Sequence, residues 1–181
     1  MYSDVAMNVV KRFKYNSKKY YAKYIAEMMA ENKKYFENVD YLTFVPIGVK
    51  RLKERGFNQA EEMAKQIGEI LNIPVIDTLE KLGSERHQAG LTQKERRENL
   101  SGTITLKSCE NLDLKEKTIM IIDDVFTTGS TLSECARVIN SNNRNKPAKI
   151  LCYTFAKTAY YSTNNGQNQQ NILQTEEIKV N

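Results

Sequence analysis

The chain has 181 residues, 40% of them hydrophobic, and a formal net charge of +5. A chain of that length buries roughly 70% of its unfolded surface, so it needs neither a disulfide nor a structural metal. Cys109, Cys135 and Cys152 are too far apart for any C-x-x-C zinc or redox motif. An odd set of isolated cysteines suits a reducing compartment. The opening MYSDVAMNVVKRFKY lacks the apolar stretch of a signal peptide, and no segment approaches a membrane span. A cytoplasmic location without membrane insertion is the expectation, and the positive balance suits an anionic partner without identifying it.

Along the chain, residues 4–14 carry Val5, Val9, Val10 and Phe13 at helical spacing, and Ser17 can cap a second helix over 17–37. That helix places Tyr21, Tyr24, Ile25, Met28 and Met29 on one side. YLTFVPIG (41–48) reads as a strand entering a tight loop, and Asn58–Leu71 as a helix with an apolar stripe. IPVI (73–76) reads as a short strand. Residues 83–99, GSERHQAGLTQKERREN, form a long polar connection suited to a flexible lid, although Thr92 with Glu95 reads as a local capping box. GTITL (102–106) is a strand. TIMII (118–122) is an unalternated apolar run, the pattern of a central parallel strand covered on both faces. Leu132, Cys135, Ala136 and Ile139 mark the next helix, and KILCYTFA (149–156) the last strand. The partition is one domain over 1–160 and a polar, asparagine- and glutamine-rich segment over 161–181 without structure of its own. Strands alternating with helices predict an α/β fold, an open, mainly parallel sheet flanked by helices. Ligands of such sheets bind beyond the carboxyl ends of the strands.

The stretch IMIIDDVFTTGSTL (119–132) carries the clearest chemistry. A helix start offers free N–H groups and partial positive charge. Gly129 allows close approach of a ligand, and Thr127, Thr128, Ser130 and Thr131 add hydroxyls, so the loop suits a terminal phosphate. Each charge-assisted hydrogen bond there contributes about 1.5–3 kcal/mol. The spacing is not that of a nucleotide P-loop. Asp123 and Asp124 stand beside this anion site and accept hydrogen bonds, which vicinal sugar hydroxyls donate. A ribose 5-phosphate unit fits both halves, and Mg²⁺ held on its hydroxyls or on a pyrophosphate would reduce the repulsion.

The apolar strand, the paired acids and T-T-G-S-T together resemble the phosphoribosyl-pyrophosphate (PRPP) signature of type I phosphoribosyltransferases. VPIGVKRLKERGFNQAEEMAK and RHQAGLTQKERRENLSGTI extend the likeness to the ComF family from Val9 to Ala156. That resemblance implies a phosphoribosyltransferase-like fold, a link to DNA uptake and natural competence, and, in many members, a cysteine-rich zinc ribbon ahead of the position at which this sequence begins. It also implies that Gly48, Lys50 and Arg51 hold pyrophosphate and that the 83–99 connection closes over PRPP. Arg86 would act at the leaving pyrophosphate with Asp123 and Asp124 on the ribose. Gln88, Arg96 and Arg97 would line the lid. Mg²⁺ would arrive with PRPP, with no direct protein ligands.

Other features carry less. RGFNQ (55–59) either shapes a pocket floor or starts a helix, with Asn58 as cap and Phe57 as anchor. His87, the single histidine, is read as a bystander. KRFKYNSKKYYAKY mixes cations with aromatics, as single-stranded nucleic-acid sites do, but the stripe of Tyr21, Tyr24 and Ile25 favours an amphipathic helix with solvated lysines. Two functions remain open: an enzyme that releases pyrophosphate from Mg-PRPP, or a non-catalytic accessory of the competence machinery that binds PRPP or a nucleotide together with single-stranded DNA.

Overall fold

The computed structural model of the chain describes residues 20–82, 102–107, 112–143, 145–157 and 174–177. The helix read over 4–14 and the 83–99 connection lie outside the described residues. Three helices and a 3-10 turn flank the first strand: α1 (Tyr20–Ala30), the turn Lys33–Tyr35, β1 (Tyr41–Phe44), α2 (Val49–Arg55) and α3 (Gln59–Leu71). The remaining elements are β2 (Leu79–Lys81), β3 (Ile104–Leu106), β4 (Thr118–Phe126), α4 (Ser130–Asn140), β5 (Lys149–Lys157) and β6 (Gln174–Glu177).

The main sheet has the order β1-β4-β5-β6. β4 pairs parallel with both neighbours, while β6 runs antiparallel on the edge of β5. The apolar run explains the centre: Ile119, Met120, Ile121 and Ile122 are all fully buried, which only a strand covered on both faces achieves. The strand is longer than the run. It continues through both acids to Phe126.

Side chains alternate across a strand, so the register sorts the two faces. Leu42 pairs with Met120, Phe44 with Ile122, and Ile122 with Tyr153. The Tyr153 hydroxyl donates to the Met29 carbonyl at 3.2 Å, and its ring meets Phe36 edge-on at 5.2 Å. Burial pushes this phenol's pKa up, which keeps it a donor. α1 and α3, packed on each other, therefore cover the Leu42–Met120–Tyr153 face. α4 covers the other.

Helix α1 buries Ala22, Ile25, Ala26 and Met29, whereas Tyr24 is 58% and Met28 41% exposed. The expected grouping of Tyr24 and Met28 with the buried side thus fails, because the small Ala22 and Ala26 let α1 lie close to its neighbours on a different stripe. IPVI is a single parallel bridge, Val75 with Leu42, rather than a strand. Leu42 N–H donates to Pro74 C=O and Ile76 N–H to Leu42 C=O, and Pro74 has no N–H with which to extend the ladder. Within the segment read as structureless, Gln174–Glu177 form β6. The open edge of β5 supplies backbone donors and acceptors that a polar strand satisfies as well as an apolar one.

β2 and β3 make a separate antiparallel hairpin. The buried hydroxyls of Thr43 and Thr78 meet at 2.9 Å and tie its foot to β1. At the opposite end of the sheet, Asp40 accepts from Thr118 N–H at 2.8 Å and from Lys117 Nζ at 3.0 Å. These bonds, the Thr118 N–H first, hold its pKa below the usual carboxylate value.

Gly68 is the tightest point between α3 and the sheet. A Cβ there would stand 2.7 Å from both Ile73 O and Val75 Cγ2. Gly68→Ala is expected to destabilise the fold by about 1–3 kcal/mol through overpacking, more than the ~1 kcal/mol helix-propensity gain. Urea denaturation checks this, and an unchanged or raised midpoint would contradict it.

Candidate functional site

The carboxyl ends of β1 and β4 lie side by side, joined by the Val45 N–H to Ile122 C=O bond at 3.1 Å. Around this end the chain gathers both acids, the hydroxyl-glycine loop and the loop leading into α2. Asp123 is half-buried and Asp124 is buried. Asp124 N–H donates to Asp123 Oδ1 at 2.8 Å. Because β4 runs through them, the two acids fall on opposite faces. Asp123 pairs with Thr154 and lies on the α4 face. Burial first, and then the charge of Asp123, pushes the Cys135 thiol of α4 well above its ordinary pKa. Asp124 continues the Met120–Ile122 row under α3.

After Phe126 the chain turns sharply at Gly129, whose φ of +72° is left-handed. A Cβ at Gly129 would meet the Phe126 ring at 2.8 Å, so glycine is required here both for conformation and for space. Ser130 opens α4. Thr128 Oγ1 lies 2.8 Å from Ser130 Oγ and accepts weakly from Ser130 N–H at 3.4 Å. The N-cap residue, Gly129, has no side chain with which to cap the first turn. Thr127 is exposed, Thr128, Gly129 and Thr131 are half-buried, and Ser130 is buried. Amide and hydroxyl donors thus converge where helix dipole and geometry favour an anion.

Gly48 is buried and is the N-cap residue of α2, while Lys50 and Arg51 are exposed. Arg86, Gln88, Arg96 and Arg97 lie outside the described residues. Asn58 caps α3 as expected: its Oδ1 accepts from Ala60 N–H at 3.1 Å, and its Nδ2 donates to Val45 C=O at 3.0 Å. RGFNQ therefore starts a helix and also fastens that helix to the carboxyl end of β1. Among the described residues, no three His, Cys, Asp or Glu side chains group as metal ligands. No described helix is long and apolar enough to cross a membrane.

Sequence reasoning missed Glu134. Its buried carboxylate accepts from Arg137 Nε and Nη2, each at 2.8 Å, and from the Gly102 N–H at 3.2 Å, fastening α4 to the turn just ahead of β3. The Glu-x-x-Arg spacing on a helix could have signalled the ion pair, but not the reach to Gly102.

A PRTase-CE family profile matches residues 2–180. The chain belongs to the PRTase-CE family. Relatives of this PRTase-CE chain bear out the ComF likeness. It is 34% identical over 96 residues to Competence protein F of Haemophilus influenzae, covering 52% of this chain and 42% of that protein. It is 27% identical over 162 residues to Competence protein ComFC of Bacillus subtilis, covering 87% of this chain and 62% of that one. The chain thus spans between two-fifths and two-thirds of the length of these relatives. A purine phosphoribosyltransferase structure from Pyrococcus horikoshii superposes with a TM-score of 0.45 at 18% identity, over 75% of this chain and 72% of that one.

The Glu134 clamp makes a pH prediction. Arg137 and then Gly102 hold its pKa below the usual 4.5 against the opposing effect of burial. The stabilisation is therefore present above the unfolded-state pKa and is lost as pH falls through the folded-state value. Melting temperatures of the wild type and Glu134→Gln should differ most near neutral pH and converge in acid. A gap that is constant with pH would contradict the clamp.

Proposed function

We propose that this protein binds Mg-PRPP at the carboxyl end of β4 and transfers its phosphoribosyl group, releasing pyrophosphate, in the service of DNA uptake. One observation carries the reading: paired acids lie near the carboxyl end of a central parallel strand that is dry up to Ile122, and a left-handed glycine and a hydroxyl-lined helix start follow a few residues later. The family match and the competence names of the relatives support it.

The residues from Thr127 to Thr131 would hold the 5-phosphate, with the Ser130 hydroxyl and first-turn amides as donors. Asp123 and Asp124 would accept from the ribose hydroxyls from two sides of the strand end, which keeps their charges apart. Gly48, Lys50 and Arg51 would face the pyrophosphate from the end of β1, with Arg86, Gln88, Arg96 and Arg97 closing over it. With no three ligating side chains grouped among the described residues, Mg²⁺ would be held through the ligand's own oxygens rather than in a protein cage. When bound, the ion neutralises charge on the pyrophosphate. The bond from C1 to the pyrophosphate oxygen breaks and its electron pair leaves with pyrophosphate, while a lone pair of the acceptor forms the new bond to C1 and any proton on that acceptor atom passes to solvent. The chain's part is positioning and electrostatic stabilisation of the cationic ribose.

PRPP is expected to raise the melting temperature, increasingly with the logarithm of its concentration above Kd, and pyrophosphate release with the correct acceptor should fall about 100-fold in Asp124→Asn. Stabilisation without release, whatever acceptor is supplied, would favour the accessory reading with single-stranded DNA. Absence of stabilisation by PRPP, by nucleoside monophosphates and by oligonucleotides would overturn both. Gly129→Ala should abolish the stabilisation by PRPP through the clash with Phe126, and retained binding would contradict the loop's role.

A further inference from the structure

Gln59 is the first residue of α3, and only 2% of its surface is exposed. Its Oε1 accepts from Arg55 Nη1 at 3.1 Å. A guanidinium only donates, so this bond fixes the orientation of the amide and leaves the NH₂ group as its second end. That Nε2 is buried and has no hydrogen-bond partner among the described residues. Leaving a buried donor unmatched costs free energy that an apolar side chain of the same shape would avoid.

The location of Gln59 gives the unmatched donor a use. Its neighbour Asn58 is bonded to Val45 C=O, so Gln59 sits at the carboxyl end of β1. α3 covers the face of the sheet that carries Asp124. Arg55 ends α2, a helix without a buried residue that carries four cations and one carboxylate. Glu61, in the first turn of α3, is engaged by Lys65 at 2.7 Å. The groups at this corner thus include a helix of net positive charge and an amide with an unmatched donor, with the half-buried Glu62 in the same turn.

We propose that Gln59 is a ligand-binding residue whose Nε2 donates to an oxygen of pyrophosphate, with Arg55 holding the amide in that orientation. This rests on the reading of the carboxyl ends of β1 and β4 as the PRPP site, and adds to it a neutral donor on the Asp124 face.

Two variants separate binding from folding. Gln59→Glu keeps the shape and the Arg55 contact but replaces the donor with an acceptor. Gln59→Leu removes the unmatched group altogether. Calorimetric titration uses inorganic pyrophosphate with Mg²⁺ as one probe and ribose 5-phosphate as the other. In both variants the pyrophosphate Kd should rise tenfold or more, ribose 5-phosphate should bind as in wild type, and the ligand-free melting temperature of Gln59→Leu should be unchanged or higher. Unchanged pyrophosphate affinity in either variant, or no pyrophosphate binding by the wild type, would overturn the proposal. A lower melting temperature in Gln59→Leu with unaltered pyrophosphate affinity would assign Gln59 a structural role instead. If the wild type binds pyrophosphate but not ribose 5-phosphate, the sugar-phosphate reading fails while the pyrophosphate arm still judges Gln59.

Discussion

The structure depends on the dryness of β4. Four consecutive side chains with no exposure require helices on both faces of the sheet and neighbours on both edges. Such a strand can meet water only at its ends. At its carboxyl end the chain places two carboxylates where their solvation is still possible. Every other part of the candidate site is positioned by that arrangement: α3 and α4 begin above this end, and β1 finishes beside it.

Electrostatics then decides how acids and an anion cradle can coexist. Two carboxylates next to a phosphate repel it and each other. Alternation along the strand puts Asp123 and Asp124 on opposite faces, and Asp123 also accepts the Asp124 N–H. The hydroxyls of the loop lie on both sides of Gly129, past the Phe126 position, with the first-turn amides beyond it. A sugar placed between the two would have its hydroxyls toward the acids and its phosphate toward the helix start. Further out, Glu134 and Arg137 neutralise each other while fixing α4 to Gly102, so the helix that supplies the cradle is held from two sides.

Much of this was legible in the sequence because the signals were local. The TIMII run, the stripe of Leu132, Cys135, Ala136 and Ile139, and the cap at Asn58 each follow from a few neighbouring residues, and all three are found. What was missed is set by tertiary contact. The apolar run that marks the strand in the sequence ends at Ile122. The strand's continuation to Phe126 comes from pairing of Asp123, Val125 and Phe126 with β5. Had the strand been carried further, alternation would have separated the acids. The buried face of α1 was misjudged because Ala22 and Ala26, small and uninformative, outweigh Tyr24 and Met28. The buried state of Gln59 is invisible to any pattern that counts glutamine as polar. β6 and the Gly102 contact of Glu134 join residues distant in sequence, for which one chain gives no signal.

The most direct test of the central claim is a crystal structure with ribose 5-phosphate bound. The account predicts phosphate oxygens within hydrogen-bond reach of the Ser130 hydroxyl and the amides that open α4, with the ribose hydroxyls at Asp123 and Asp124. A sugar phosphate bound elsewhere on the molecule, or one seated at the loop with both acids turned away from it, would contradict it.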